Sequence, residues 1–174
     1  MTMTLNQPDC CVALPPAVAV AMPLVKEFEG CQLEAFPDPR TGGELWRIGW
    51  GCIHLGDGRP VRAGDRISQA QADAVLKVQL VTALQCLACG IGGWQQLNVN
   101  EQAALLSFTD DVGMRWYRHP AFASLSKCLH TGLQIDARIL EAVPAAMMLY
   151  VAQGSPCEAQ LRRRRKAEGA LWRA

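Results

Sequence analysis

The chain has 174 residues, half of them apolar and 19% charged, with a formal net charge of +1. That is enough chain to bury a real hydrophobic core in one domain. So small a charge excludes a global field drawing it to nucleic acid or to an anionic membrane, and no uninterrupted apolar run of roughly eighteen residues marks a bilayer span.

Residues 1–20 read as an irregular leader. An apolar stretch is present, but no Lys or Arg precedes it, and Pro15, Pro16 and Pro23 interrupt it. A loose leader is therefore favoured over a secretory signal or signal-anchor. The first helix is expected from about 17 or 22 to 29, and Pro23, tolerated only in a first turn, argues for the later start. Leu24, Val25 and Phe28 give it an apolar face, and Gly30 is its stop. Residues 31–64 read as a small sheet region: Leu33, Ala35 and Phe36 precede a Pro/Gly-rich turn, and Leu45 to Trp50 follow it. Ser68 and Gln71 form a capping-box pattern that opens a long apolar helix ending at Gly90.

The remainder is helical in pattern. Asn98 or Asn100 can cap the run that Gly113 closes. Pro120 opens a helix through Leu129 that stops near Gly132, and a short helix covers 134–143. Met147 to Gln153 is apolar. Ser155, Pro156 and Glu158 repeat the capping logic before a last helix. Strands early and helices late give an α+β fold in a single domain over 21–174.

Eight cysteines are scattered without the spacing of a disulfide framework. Cys86 and Cys89 stand one helical turn apart, but no second pair of zinc spacing accompanies them. They read as free thiols acting as small hydrophobes, and no metal or organic cofactor is expected.

The stretch from Glu29 to Gly51 carries the chemistry. Glu29 falls in the last turn of the first helix, where the dipole disfavours an anion. Asp38 lies nine residues on in a turn, and Gly49 and Gly51 allow close backbone approach. Two carboxylates on element ends are what glycoside cleavage requires: one acid to protonate the leaving oxygen, and one carboxylate to handle water or the cation-like centre. Either residue alone reads equally well as a surface helix end or a turn residue. Glu27, Glu34 and Glu44 are nearby competitors without motif support.

The order of residues is more specific. Phe28-Glu29-Gly30, then Ala35-Phe36-x-Asp38, then Gly42-Gly43-x-x-Trp46-x-Ile48-Gly49-Trp50-Gly51 resembles the phage-type lysozymes, glycoside hydrolase family 24. The strings LNVNEQAALLSFTDDVG and QLRRRRKAEGALW are similar to two further motifs of that family. Asp111 stands where the family usually has Asn, and Gln160 where it has Gly. The resemblance implies a lysozyme-like architecture: a small β-containing lobe at about 30–66, a linking helix at about 68–89 and a helical lobe at about 97–174. It implies muramidase hydrolysis of the β-1,4 bond between N-acetylmuramic acid and N-acetylglucosamine, with Glu29 as general acid and Asp38 as second carboxylate. Arg47, Gly51 and Asp111 would contact substrate, and Arg163 or Arg164 would pair with Glu29. Five consecutive cations, Arg162 to Lys166, cannot share one helix face, so the rest would be solvated.

Two further positions depart from the pattern. Arg47 replaces a Thr near the attacking water. An always-charged guanidinium there could pair with Asp38, displace the water or bind substrate, which leaves a catalytically impaired, wall-binding homologue as the alternative reading. Cys52 replaces a structural His, and only His54 is near enough in sequence to serve it as a base. Trp46 and Trp50 would divide between the small lobe's core and the cleft wall. The expected partner is peptidoglycan glycan, reached after release or export, with no nucleic acid, no stable membrane insertion and a monomeric state. A chitinase-like or transglycosylase activity on the same bond type is a further alternative.

Overall fold

The computed structural model describes residues 13–38, 41–130 and 137–174. Helix α1 (Pro16–Glu29) begins near the earlier of the two expected starts, not the favoured later one, with Pro16 at its first position and Pro23 inside it. Proline at the first position forfeits nothing, since that N–H has no helical partner. An interior proline costs about 3 kcal/mol. Burial outweighs it: Ala17, Val18, Ala21, Val25 and Phe28 form one buried stripe, packed chiefly on the central helix described below. The expected leader therefore loses residues 16–20 to the helix, and residues 1–12 lie outside the described part.

Strands β1 (Gln32–Pro37) and β2 (Trp46–Gly49) form an antiparallel pair, with Gln32 opposite Gly49 and Pro37 opposite Trp46, interrupted by an irregularity between Gln32 and Phe36. The chain then turns back on itself, pairing Ile48 with Cys52 and His54 with Pro60. Helix α2 (Gln69–Gly90) begins with the capping box anticipated at Ser68 and Gln71, both bonds present at 3.2 and 2.8 Å. Its length and composition would let it cross a bilayer, yet Leu76, Leu80 and Leu87 are fully buried against α1 and the central helix while Val78 is exposed. Its last residue, Gly90, is held by contact: a Cβ there would lie 2.3 Å from the Tyr117 ring.

The central helix, α3 (Val99–Val112), is capped by Asn98, whose side chain accepts from Asn100 and Glu101 N–H groups while Glu101 accepts from Asn98. Seven consecutive residues, Ala103 to Thr109, are buried, so α3 is surrounded by protein, with α1, α2 and the last helix of the chain against it. Pro120 opens a single 3-10 turn, and α4 (Ala123–His130) follows. Gly132, expected to stop it, lies outside the described residues. Helix α5 (Ala137–Met147) runs past its expected end with Pro144 inside.

Helix α6 (Glu158–Trp172) starts later than its capping pattern suggests. Cys157 is the N-cap without a side-chain bond. The Glu158 carboxylate instead accepts from the Gly154 N–H at 2.7 Å and pairs with Arg162. The carboxylate closes the preceding turn, so Ser155 never serves as a cap. The result is a small sheet lobe and a helical lobe with α2 running between them.

Candidate active site

A cleft of about 430 Å³ opens between the lobes. Its small-lobe side carries Glu29, Arg47, Trp50 and Gly51; its helical side carries Gln79, Asp110, Asp111 and Met114. Trp50 is fixed as part of the wall: its indole N–H donates to Asp73 at 2.8 Å, and Lys26 pairs with the same carboxylate and lies 5.1 Å over the ring. Trp46 is half-buried on β2 and takes no part in that wall.

Glu29 ends α1, and Gly30 at φ +67° turns the chain away from it. The carboxylate is 22% exposed. Its Oε1 pairs with Arg164 Nη1. Its Oε2 faces Gly51, where a Cβ would stand only 3.0 Å from it. Gly51 itself adopts φ +83°, a conformation that side chains resist. Both facts require glycine at 51.

Arg164 and Arg165 are consecutive on α6 and both buried. Arg164 reaches Glu29, Asp110 (3.1 Å), Glu168 (3.2 Å) and the Ser107 carbonyl (2.8 Å). Burial pulls its pKa down, but the Glu29, Glu168 and Asp110 charges outweigh burial and raise it. Arg165 pairs with Glu168 (2.7 Å) and Asp111 (3.1 Å) and lies 4.6 Å over the Phe108 ring. Burial holds its pKa below the usual value. Arg163, the other candidate for Glu29, is corrected by the geometry: it is exposed, with its guanidinium 5.9 Å over the Phe28 ring. Helical spacing points only one of these neighbours at the cleft.

Asp38 is only 2% exposed and is not among the described residues lining the cleft. Arg47 stands in front of it. Arg47 Nε lies 2.8 Å from Asp38 Oδ2, and Nη1 donates to the Gly51 carbonyl at 2.8 Å. The same guanidinium nitrogen is 3.5 Å from the point that Glu29 Oε2 approaches at 3.0 Å. The departure at position 47 thus places a cation between the two carboxylates.

Asp110 lies inside the motif-like string next to Asp111, but nothing in that string marks it as a site residue. It accepts from Gln79 at 2.6 Å and is pushed up to about 6, first by burial and then by the Glu29 charge, against the pull of Arg164. Glu168, fully buried and accepting from Ser107 Oγ at 2.8 Å, is pushed up to about 7 by burial. The available signal was the spacing of Glu168 to Arg164 and Arg165, i+4 and i+3 on one helix. Cys52 is 2% exposed, and its thiol is pushed up to about 12, by burial foremost and then by Asp110 and Glu29. It is an apolar filler here, since only a thiolate attacks.

A two-lobed α+β chain with one accessible glutamate at the mouth of an interlobe cleft has the architecture of a lysozyme. Solved structures of that fold superpose on it: the muramidase domain of SpmX from Asticaccaulis excentricus (TM-score 0.69, 23% identity, 93% of this chain and 98% of that one) and an endolysin from Escherichia coli O157:H7 phage FAHEc1 (TM-score 0.67, 24% identity, 93% and 94%). The phage lysozyme family model matches residues 26–168, and the chain belongs to that family. It is 44% identical over 57 residues to endolysins of Lactococcus phages c2 and phivML3; the match covers 33% of this chain and only 22% of the length of those relatives.

Proposed function

We propose that this protein is a lysozyme-type glycosidase that cleaves peptidoglycan at the β-1,4 bond between N-acetylmuramic acid and N-acetylglucosamine, with Glu29 as general acid. The observation that supports it is the division of the Glu29 carboxylate: Oε1 is engaged by Arg164, and Oε2 is presented to the cleft beside Gly51. In this reading Oε2 delivers the proton to the leaving oxygen, and Arg164 fixes the carboxyl so that the proton is aimed. The backbone at Gly51 lets a sugar approach the acid. Asp38 acts through Arg47, as its counter-charge.

Purified peptidoglycan should lose turbidity with the wild-type protein and not with Glu29→Gln, at equal folded content by circular dichroism. The ion pair between Arg47 and Asp38 favours a second reading, a wall-binding protein without turnover. Co-sedimentation with peptidoglycan and no release of soluble fragments would establish it and remove the first.

A further inference from the structure

We infer that cleavage at this site proceeds without water: the muramyl residue closes on its own 6-hydroxyl and leaves a 1,6-anhydro end. The inference rests on the reading of Glu29 as general acid. It follows from what faces the cleft on the far side of that acid.

Hydrolysis with inversion needs a carboxylate to take a proton from water attacking opposite the leaving group, and hydrolysis through a covalent intermediate needs a carboxylate that can touch the anomeric carbon. Asp38 can do neither. Its side chain is 2% exposed, and Arg47 Nε stands against it at 2.8 Å. What Asp38 presents to the cleft is the guanidinium it anchors, and a guanidinium has only donors and no site to accept a proton. Arg47 is also not free to swing aside at no cost. It bridges Asp38 and the Gly51 carbonyl, and leaving would break an ion pair to a buried carboxylate and a hydrogen bond together. Asp110 and Asp111 offer no substitute, since each is paired to a buried arginine of α6.

One carboxylate suffices for the intramolecular route. The Glu29 carboxylic acid gives its proton to the glycosidic oxygen as the bond from that oxygen to the muramyl anomeric carbon breaks. N-acetylglucosamine leaves with its 4-hydroxyl restored. The muramyl 6-oxygen then bonds to the anomeric carbon from the face just vacated, and its proton passes to the Glu29 carboxylate. Glu29 is regenerated, no water is consumed and no oxidant or co-reactant is required. A hydroxyl already held within the bound sugar has the advantage of effective concentration over a water that no base has activated.

The test is product analysis of peptidoglycan digested by the wild-type protein in heavy-oxygen water. Expected are muropeptides lighter by one water than reducing-end products, free of heavy oxygen and resistant to borohydride. They should be in roughly tenfold excess, which a barrier difference of about 1.4 kcal/mol produces. Reducing ends carrying heavy oxygen would overturn this inference and leave the glycosidase reading standing. Release of no fragments at all would overturn both. Arg47→Thr, which admits water and uncovers Asp38, should shift products toward heavy-oxygen reducing ends; unchanged anhydro products from that variant would show that Arg47 does not set the acceptor and overturn the argument. Should that variant fail to fold, the wild-type products decide.

Discussion

Arg164→Met is the sharpest probe of how the site is held. The arginine is 3% exposed and serves three carboxylates and a carbonyl. Methionine keeps the bulk of the stem and removes the charge. Deleting one partner of a buried ion pair costs about 3–5 kcal/mol, because the other is left uncompensated. That is a large share of a typical total of roughly 5–15 kcal/mol. At roughly 2–4 °C per kcal/mol for a domain of this size, the Tm should fall by about 6–20 °C. The loss should depend on pH. Asp110 and Glu168 have folded pKa values raised from 3.8 to about 6 and from 4.5 to about 7. A raised carboxylate contributes stability that is fully present below its unfolded pKa and lost as pH rises through the folded one. With Arg164 gone both rise further, so the deficit against wild type should be larger near about pH 8 than near about pH 5. Thermal unfolding followed by circular dichroism at both values measures it. A fall of under about 3 °C at the higher pH, or a deficit that grows on acidification, would refute the claim that Arg164 holds the cluster by charge.

Three further outcomes follow from single contacts. Gly51→Ala places a methyl 3.0 Å from Glu29 Oε2 at φ +83°; peptidoglycan clearing should drop roughly 10²-fold through misplacement of the acid, with a stability loss of only about 1–2 kcal/mol in denaturant titration. Gly90→Ala would overlap the Tyr117 ring at 2.3 Å, and should lower stability by about 1–3 kcal/mol, read from the urea midpoint. Asp110→Asn should flatten the fall in stability expected of wild type between about pH 4 and pH 6, a contribution of order 3 kcal/mol at most for the shift to about 6; an unchanged slope in Tm against pH would show that Asp110 is not the group that titrates.

Local chemistry made much of the fold legible. Ser68 with Gln71 and Asn98 with Glu101 announce α2 and α3, because a capping box satisfies its N–H groups within four residues. The start of α1 was not legible, since the penalty of Pro23 is local whereas its compensation is a stripe buried against α3, eighty residues on in the chain. The Ser155 cap failed for a related reason: the Glu158 carboxylate that would complete it is spent on the Gly154 N–H. At the site, the ordered motifs mark Glu29, Gly51 and Asp111, and all three line the cleft. Asp110 and the choice of Arg164 over Arg163 depend on which face of two helices meets the cleft, and that is settled only by packing α3 against α6.

Arg47 and Arg164 solve the same electrostatic problem on opposite sides of Glu29. Each is an arginine set against a carboxylate that is almost wholly removed from water, Asp38 in one case and Asp110 in the other. A buried anion is costly unless a partner and hydrogen bonds accompany it, so neither aspartate can move to meet a substrate without giving up its arginine. The α6 cluster sets Glu29, Asp110, Asp111 and Glu168 against Arg164 and Arg165. The excess negative charge is relieved where burial is deepest, at Glu168 and Asp110, whose carboxyls hold protons to higher pH. Glu29 is thereby left as the carboxylate with one oxygen fixed to a buried arginine and the other turned to the cleft. If the flanking arginines are what assign that role, the double variant Arg47→Thr with Glu29→Gln should not regain clearing through the uncovered Asp38. A carboxylate that can receive water still needs an acid across the bond to protonate the leaving oxygen.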